Sequence, residues 1–98
     1  ISKAKIKSAK KKKSSKSLTI ILSKAVPKVT GYQIKIYSSK KKAKKNKGAI
    51  WTKVVQTNSK KIVIKNKKTL YIQIRAYKRI NRKNKYSTWS EIKKVIVN

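Results

Sequence analysis

Glu91 is the one acidic side chain in a chain of 98 residues that carries 31 lysines and arginines. Histidine, aspartate and cysteine are all absent. Hydrolysis by paired carboxylates needs a second acid, so it is excluded. Zinc would lack its usual imidazole and thiolate ligands, and calcium would have a single carboxylate to share. Serines and lysines are both abundant, so a serine–lysine dyad is compositionally allowed, but their co-occurrence carries no information. Only Gly31 and Gly48 are glycine, which leaves no phosphate-cradling loop. The residues point to a protein that is not an enzyme and needs no metal or cofactor.

What remains is cation chemistry. Lys10–Lys13 is a tetralysine. The stretch Lys40–Lys47 carries six lysines in eight residues: Lys40, Lys41, Lys42, Lys44, Lys45 and Lys47. The stretch Lys78–Lys85 carries five cations in eight residues: Lys78, Arg79, Arg82, Lys83 and Lys85. A lysine run on a loop is ordinarily a solvated surface. Solvated surfaces mix signs, however, and this one has a formal net charge of +30. AT-rich coding explains lysine, asparagine and isoleucine, but it does not explain the missing carboxylates. A uniformly positive shell draws in polyanions whatever its detailed shape. Only Arg75, Arg79 and Arg82 among the cations are arginine. Lysine acts as a point charge without bidentate readout, so binding to nucleic acid would be blind to sequence.

Aromatic residues interleave with these cations. Tyr37, Tyr71, Arg75, Tyr77 and Trp89 are a candidate stacking face for bases or sugars. The simpler reading is structural, since cross-strand aromatic pairs stabilise sheets with no ligand. Trp51 either covers an edge of the core or stands exposed.

The elements that must position these groups follow a period of two. In "YQIKIY", Tyr32, Ile34 and Ile36 fall on one side and Gln33, Lys35 and Tyr37 on the other. "LYIQIRAY" alternates Leu70, Ile72, Ile74 and Ala76 against Tyr71, Gln73, Arg75 and Tyr77. Further strands are predicted over Ser17–Val26, Ile50–Thr57, Lys61–Lys65 and the closing "KKVIVN", with Val95 and Val97 in phase, and an early one near Lys3–Ser8. Breaks fall at Lys10–Ser15, Pro27–Gly31, Lys40–Gly48, Thr57–Ser59, Asn66–Thr69 and Lys78–Lys85. No stretch shows helical spacing between caps. Seven short strands, each with one buried and one wet face, predict an all-β, seven-stranded antiparallel immunoglobulin-like sandwich. A chain of this size buries roughly 60–65% of its unfolded surface, enough for one core, and residues 1–98 read as one domain.

The ordered set "SLTIILSKAVPKVTGYQIKIYSS", "IVIKNKKTLYIQIRAY" and "YSTWSEIKKVIVN" resembles a fibronectin type III domain of the lysine-rich kind found in secreted and surface proteins of Gram-positive anaerobes. Two positions depart from that pattern. Leu22 stands where the family places a core tryptophan. Leu70 stands where it places a corner tyrosine, so the latch between that hydroxyl and the backbone is expected to be missing. "YSTWS" resembles the Trp-Ser box of cytokine-receptor modules, with Tyr86 in place of the first tryptophan; the resemblance implies that Trp89 stacks on Arg75. Glu91 invites comparison with surface domains in which an acid catalyses a lysine–asparagine cross-link, marked by the loss of one ammonia from the intact mass. An ion pair with a lysine or Arg75 is the simpler role.

The resemblance implies an extracellular or cell-wall-associated bacterial module for spacing, presentation or adhesion, excised or processed from a longer chain and joined to neighbouring domains of it. The expected partners are anionic polymers: teichoic acid, acidic glycans or nucleic acid. Two other classes stay open. One is a sequence-nonspecific nucleic-acid-binding protein. The other is a self-associating filament or matrix subunit, which lysine-rich edges oppose. No apolar run reaches the roughly 18 residues of a membrane span, and no signal peptide is present.

Overall fold

A computed structural model describes residues 2–45, 47–65 and 70–97. Its strands are β1 (Ile6–Lys11), β2 (Ser17–Leu22), β3 (Gly31–Tyr37), β4 (Trp51–Val55), β5 (Lys61–Lys65), β6 (Tyr71–Ile80), β7 (Lys83–Tyr86), β8 (Lys93–Lys94) and β9 (Ile96–Val97), with one short helix, α1 (Lys40–Lys44), between β3 and β4. The chain is all-β, with two sheets. One has the order β5-β2-β1-β9; the other has the order β4-β3-β6-β7, with β8 also pairing to β6.

Alternation builds the core as the residue pattern predicts. Leu18, Ile20 and Leu22 of β2 and Ile62 and Ile64 of β5 form one wall; Tyr32, Ile34 and Ile36 of β3 and Ile72, Ile74 and Ala76 of β6 form the other. Each of the large aliphatic side chains among these is at most 4% exposed and contributes about 1.5–3 kcal/mol on burial. Trp51 is partly buried and packs on the edge of this core, which decides between its two roles. Leu22, where the resemblance would have a tryptophan, is core. Leu70 is not: it is 46% exposed and fills nothing. Gly31 is required by close approach, because a Cβ there would collide with the Val55 carbonyl oxygen.

Nine strands stand among the described residues where seven are predicted. The closing segment divides: β8 pairs antiparallel with Tyr71 and Ile72 of β6, and then the chain changes sheets so that β9 runs parallel to β1 beside Lys10 and Lys11. Val95, at the crossing, is buried, whereas Val97 is half exposed, so the two are not in phase. The other additional strand, β7, lies inside the stretch read as a basic loop. It forms a hairpin with the end of β6 through a two-residue turn, Asn81–Arg82, both at positive φ (50° and 66°). That is the twist a two-residue hairpin demands, though arginine stands where glycine is usual. The early strand begins at Ile6 and takes in Lys10 and Lys11, so half of the tetralysine is strand. Lys11 is only 8% exposed, because its alternation points it inward. The Asn66–Thr69 break lies outside the described residues.

The expectation of one wet face per strand fails on β6. Ile72, Gln73 and Ile74 are buried in succession, as are Ala76 and Tyr77. The cause is material lying on the outer face of the sheet. Helix α1, missed in the sequence, packs on β3 and β6 and buries Ala43 completely. Ser39 caps it, its Oγ accepting from the Lys42 N–H at 3.2 Å.

Candidate functional site

The outer face of the β4-β3-β6-β7 sheet carries the most organised polar group in the molecule. Antiparallel register sets Gln33 opposite Arg75 and Lys35 opposite Gln73. The Arg75 Nε donates to the Gln33 Oε1 at 2.7 Å. Its guanidinium lies 3.7 Å from the Tyr86 ring centroid and 4.5 Å from that of Trp89. The Lys35 Nζ sits 4.9 Å from the Trp89 ring. Lys35, Trp89, Arg75 and Tyr86 thus form a ladder of alternating cations and rings. Each contact is worth about 0.5–1 kcal/mol when exposed and more when desolvated. Partial burial pushes the Arg75 pKa below its ordinary value, and the neighbouring Tyr86 acts in the opposite direction.

The Tyr86–Ser90 segment is held for this purpose. Backbone N–H groups of Ser87 and Ser90 donate to the Ala76 and Ile74 carbonyls. In return the Ser87 Oγ accepts from the Ala76 N–H at 2.9 Å, and the Ser90 Oγ accepts from the Ile74 N–H at 3.0 Å. Two hydroxyls replace the carbonyls that a regular strand would supply, so β6 keeps its ladder while the segment turns Trp89 over Arg75. Farther along, the Arg79 Nη1 donates to the Asn84 Oδ1 at 3.3 Å, and the Asn84 Nδ2 donates to the Tyr86 hydroxyl at 3.5 Å.

The expected stacking face is therefore closed in large part. Tyr37 is fully buried and Tyr77 is 3% exposed, so neither is free to meet a base or sugar. Tyr71 and Trp89 are half-buried, and Arg75 and Trp89 already stack on each other. Tyr77 packs instead against Tyr86, with ring centroids 6.3 Å apart. The Tyr37 hydroxyl and the Gln73 Oε1 are buried with no hydrogen-bond partner among the described residues. Burial raises the Tyr37 pKa.

The basic candidates are arranged differently. Lys40, Lys41, Lys42, Lys44, Lys45 and Lys47 are all exposed, the first four on α1. Arg79, Arg82, Lys83 and Lys85 are exposed on the β6–β7 hairpin, and Lys78 is half-buried. Because Gly31 pairs with Tyr77 and Tyr37 with Tyr71, the two groups lie at opposite ends of one sheet.

Glu91 is exposed and shares a groove of about 360 Å³ with Lys3, Lys5 and Lys93. Among the described residues no asparagine lines it, and Arg75 is engaged elsewhere. A hydroxyl latch exists, but not at Leu70. Tyr32 supplies it from β3, its hydroxyl accepting from the buried Val26 N–H at 3.2 Å. The alternation places Tyr32 in the core but gives no sign of this bond, which ties β3 to Val26 in the loop between β2 and β3.

No helix among the described residues is long and apolar enough to cross a membrane. Comparison of the chain with protein-family models, with curated proteins and with solved structures returns no match.

Proposed function

We propose that this is a non-catalytic, fibronectin type III-like module of a bacterial surface or secreted protein, whose cationic surface holds it to anionic polymers. What supports the fold-level reading is strand order: β5-β2-β1 facing β4-β3-β6-β7, with the Trp89–Arg75 stack where the resemblance implies it. What carries the functional reading is a division of labour among the cations. Arg75 and Lys35 are engaged by aromatic rings, while the lysines of Lys40–Lys47 and the hairpin cations are exposed, with one carboxylate in the whole chain to offset them.

The test is retention on a teichoic-acid or heparin matrix. Retention at physiological salt is expected. Elution below about 0.1 M salt, where the Debye length already reaches about 10 Å, would show that the charge is decorative. The logarithm of affinity for duplex DNA should fall with the logarithm of salt by about 0.9 per phosphate contacted.

A second reading is sequence-blind nucleic-acid binding. It is favoured by one feature, the basic hairpin that the end of β6 forms with β7, exposed from Arg79 to Tyr86, a two-stranded element of the kind that a DNA major groove admits. Equal affinity for unrelated duplexes, tighter than that for teichoic acid at the same salt, would select it.

A further inference from the structure

We propose that the module bridges: each end of the sandwich holds a separate phosphodiester chain, so that one molecule links two polymers. This rests on the polyanion reading above.

The ends are defined by register. β6 has ten residues and spans roughly 30 Å at about 3.3 Å per residue. At one end of β6 the β6–β7 hairpin extends past the Gly31–Tyr77 pair, carrying Arg79, Arg82, Lys83 and Lys85. At the other end α1 follows the Tyr37–Tyr71 pair with its four exposed or flanking lysines. The Lys12–Lys16 turn joins α1 at this second end. Lys94 pairs with Tyr71, and three residues later Val97 pairs with Lys11, which brings the end of β1 to the same pole.

Three observations favour two sites over one continuous track. The poles stand about 30 Å apart, more than three Debye lengths at physiological salt, so charge bound at one end does not neutralise the other. Between them, on this sheet, Lys35 and Arg75 are stacked on rings and the path is crossed by half-buried Trp89. The body between the poles is a rigid sandwich, so the two sites cannot fold onto one short chain. Phosphodiester is the favoured anion because α1 presents lysines alone, point charges that suit a string of phosphates, and the arginines of the hairpin fork onto phosphate as readily as onto carboxylate.

The experiment uses the full chain with two populations of a twenty-nucleotide oligothymidylate, one labelled with an energy donor and one with an acceptor. Transfer should rise to a maximum near one protein per two strands and fall again with excess protein. Two variants remove one pole each: K40Q/K41Q/K42Q/K44Q and R79Q/R82Q/K83Q/K85Q. Each should still bind one strand, with a salt slope smaller by up to about 3 at roughly 0.7 per lost contact. Each should lose at least tenfold of the transfer. A third variant of the same net charge, K3Q/K5Q/K7Q/K53Q, removes exposed lysines outside both groups and should keep it; circular dichroism checks that all three are folded. Competition by unlabelled poly(glycerol phosphate) and by single-stranded DNA distinguishes a wall polymer from nucleic acid as the natural source. Tight binding with no transfer at any ratio overturns bridging while leaving the polyanion reading intact. Equal loss of transfer in all three variants overturns it too, by showing that total charge, not position, sets the effect. Displacement by heparin alone, and not by either phosphodiester, overturns the assignment of the anion. No binding by the unaltered chain overturns the underlying reading itself.

Discussion

The two sheets present outer faces of opposite character. On the β4-β3-β6-β7 sheet, helix α1 and the Tyr86–Ser90 segment cover the face, and its cations have partners: Arg75 has Gln33, Tyr86 and Trp89, and Lys35 has Trp89. On the β5-β2-β1-β9 sheet the corresponding rows are Lys10 beside Thr19 and Val63, and Ser8 beside Ile21 and Lys61. Thr19 and Ile21 are half-buried, Val63 is 54% exposed, and the one helix among the described residues packs on the other sheet. Both faces alternate with the same period and mix cations with apolar residues. The lesson is that a cation's role follows from what is packed on it. Where a ring or amide is present the charge is structural; where only hydroxyls and aliphatic side chains surround it, the charge remains available to an external anion.

The comparison can be broken most severely at Gly31, where the covered sheet permits no side chain. Gly31→Ala should cost about 3 kcal/mol, because the Val55 carbonyl cannot yield without moving β4. The control on the bare face, Ser17→Ala, should stay within about 0.5 kcal/mol. Urea midpoints at constant slope read both. Equal effects would mean that the covered sheet is no more constrained than the bare one.

Removing a ladder cation should be the next largest effect. Arg75→Ala is expected to cost about 2 kcal/mol, since two partly desolvated ring contacts and the bond to Gln33 go together. Lys10→Ala should change stability by less than about 0.5 kcal/mol. A double-mutant cycle of Arg75→Ala with Trp89→Ala should return a coupling of about 1 kcal/mol. Additivity would demote the stack to mere proximity.

Two buried tyrosines sharpen the contrast within β3. Both are fully buried, but the Tyr32 hydroxyl accepts from Val26 N–H while that of Tyr37 has no partner among the described residues. Tyr32→Phe should cost about 1–2 kcal/mol by orphaning a buried N–H, and Tyr37→Phe should be neutral or stabilising. The reverse order would show that the latch is not at Tyr32.

Much of this arrangement is readable from residue order, and the unreadable part has physical causes. β5 spans Lys61–Lys65 as the pattern predicts, and the inward rows of β2, β3 and β6 follow from alternation, because burial on one side imposes a period of two. Helix α1 escapes because five residues make little more than one turn and hold a single apolar residue, Ala43, so no periodicity exists to detect; Ser39 as a cap was its only signal. β7, "KNKY", escapes because every residue in it is exposed and pairing alone holds it. The change of sheets at Val95 depends on tertiary packing that two-residue strands cannot encode. In the ladder, the Arg75–Trp89 contact was legible through the resemblance of "YSTWS". The hydroxyl bonds of Ser87 and Ser90 were not, since they depend on register against β6.

The smallest effect concerns pH and again separates the covered face from the bare one. Desolvation lifts the Tyr37 pKa above its ordinary value of 10.0, which means that the folded state favours the neutral hydroxyl. The resulting stability is whole below about pH 10 and is lost as pH rises through the raised value, where the unfolded chain has already released the proton and the folded chain has not. Tyr37→Phe removes the group responsible while leaving the surface charges as they are, so the two proteins are compared at each pH. The difference in stability between the two proteins should therefore be flat from pH 7 to about pH 9 and then grow in favour of the phenylalanine variant. Adding salt should leave the difference unchanged, because burial, not a distant charge, sets the Tyr37 shift. A difference that vanishes at high salt would place Tyr37 among the surface charges and erase the distinction between the faces at that position.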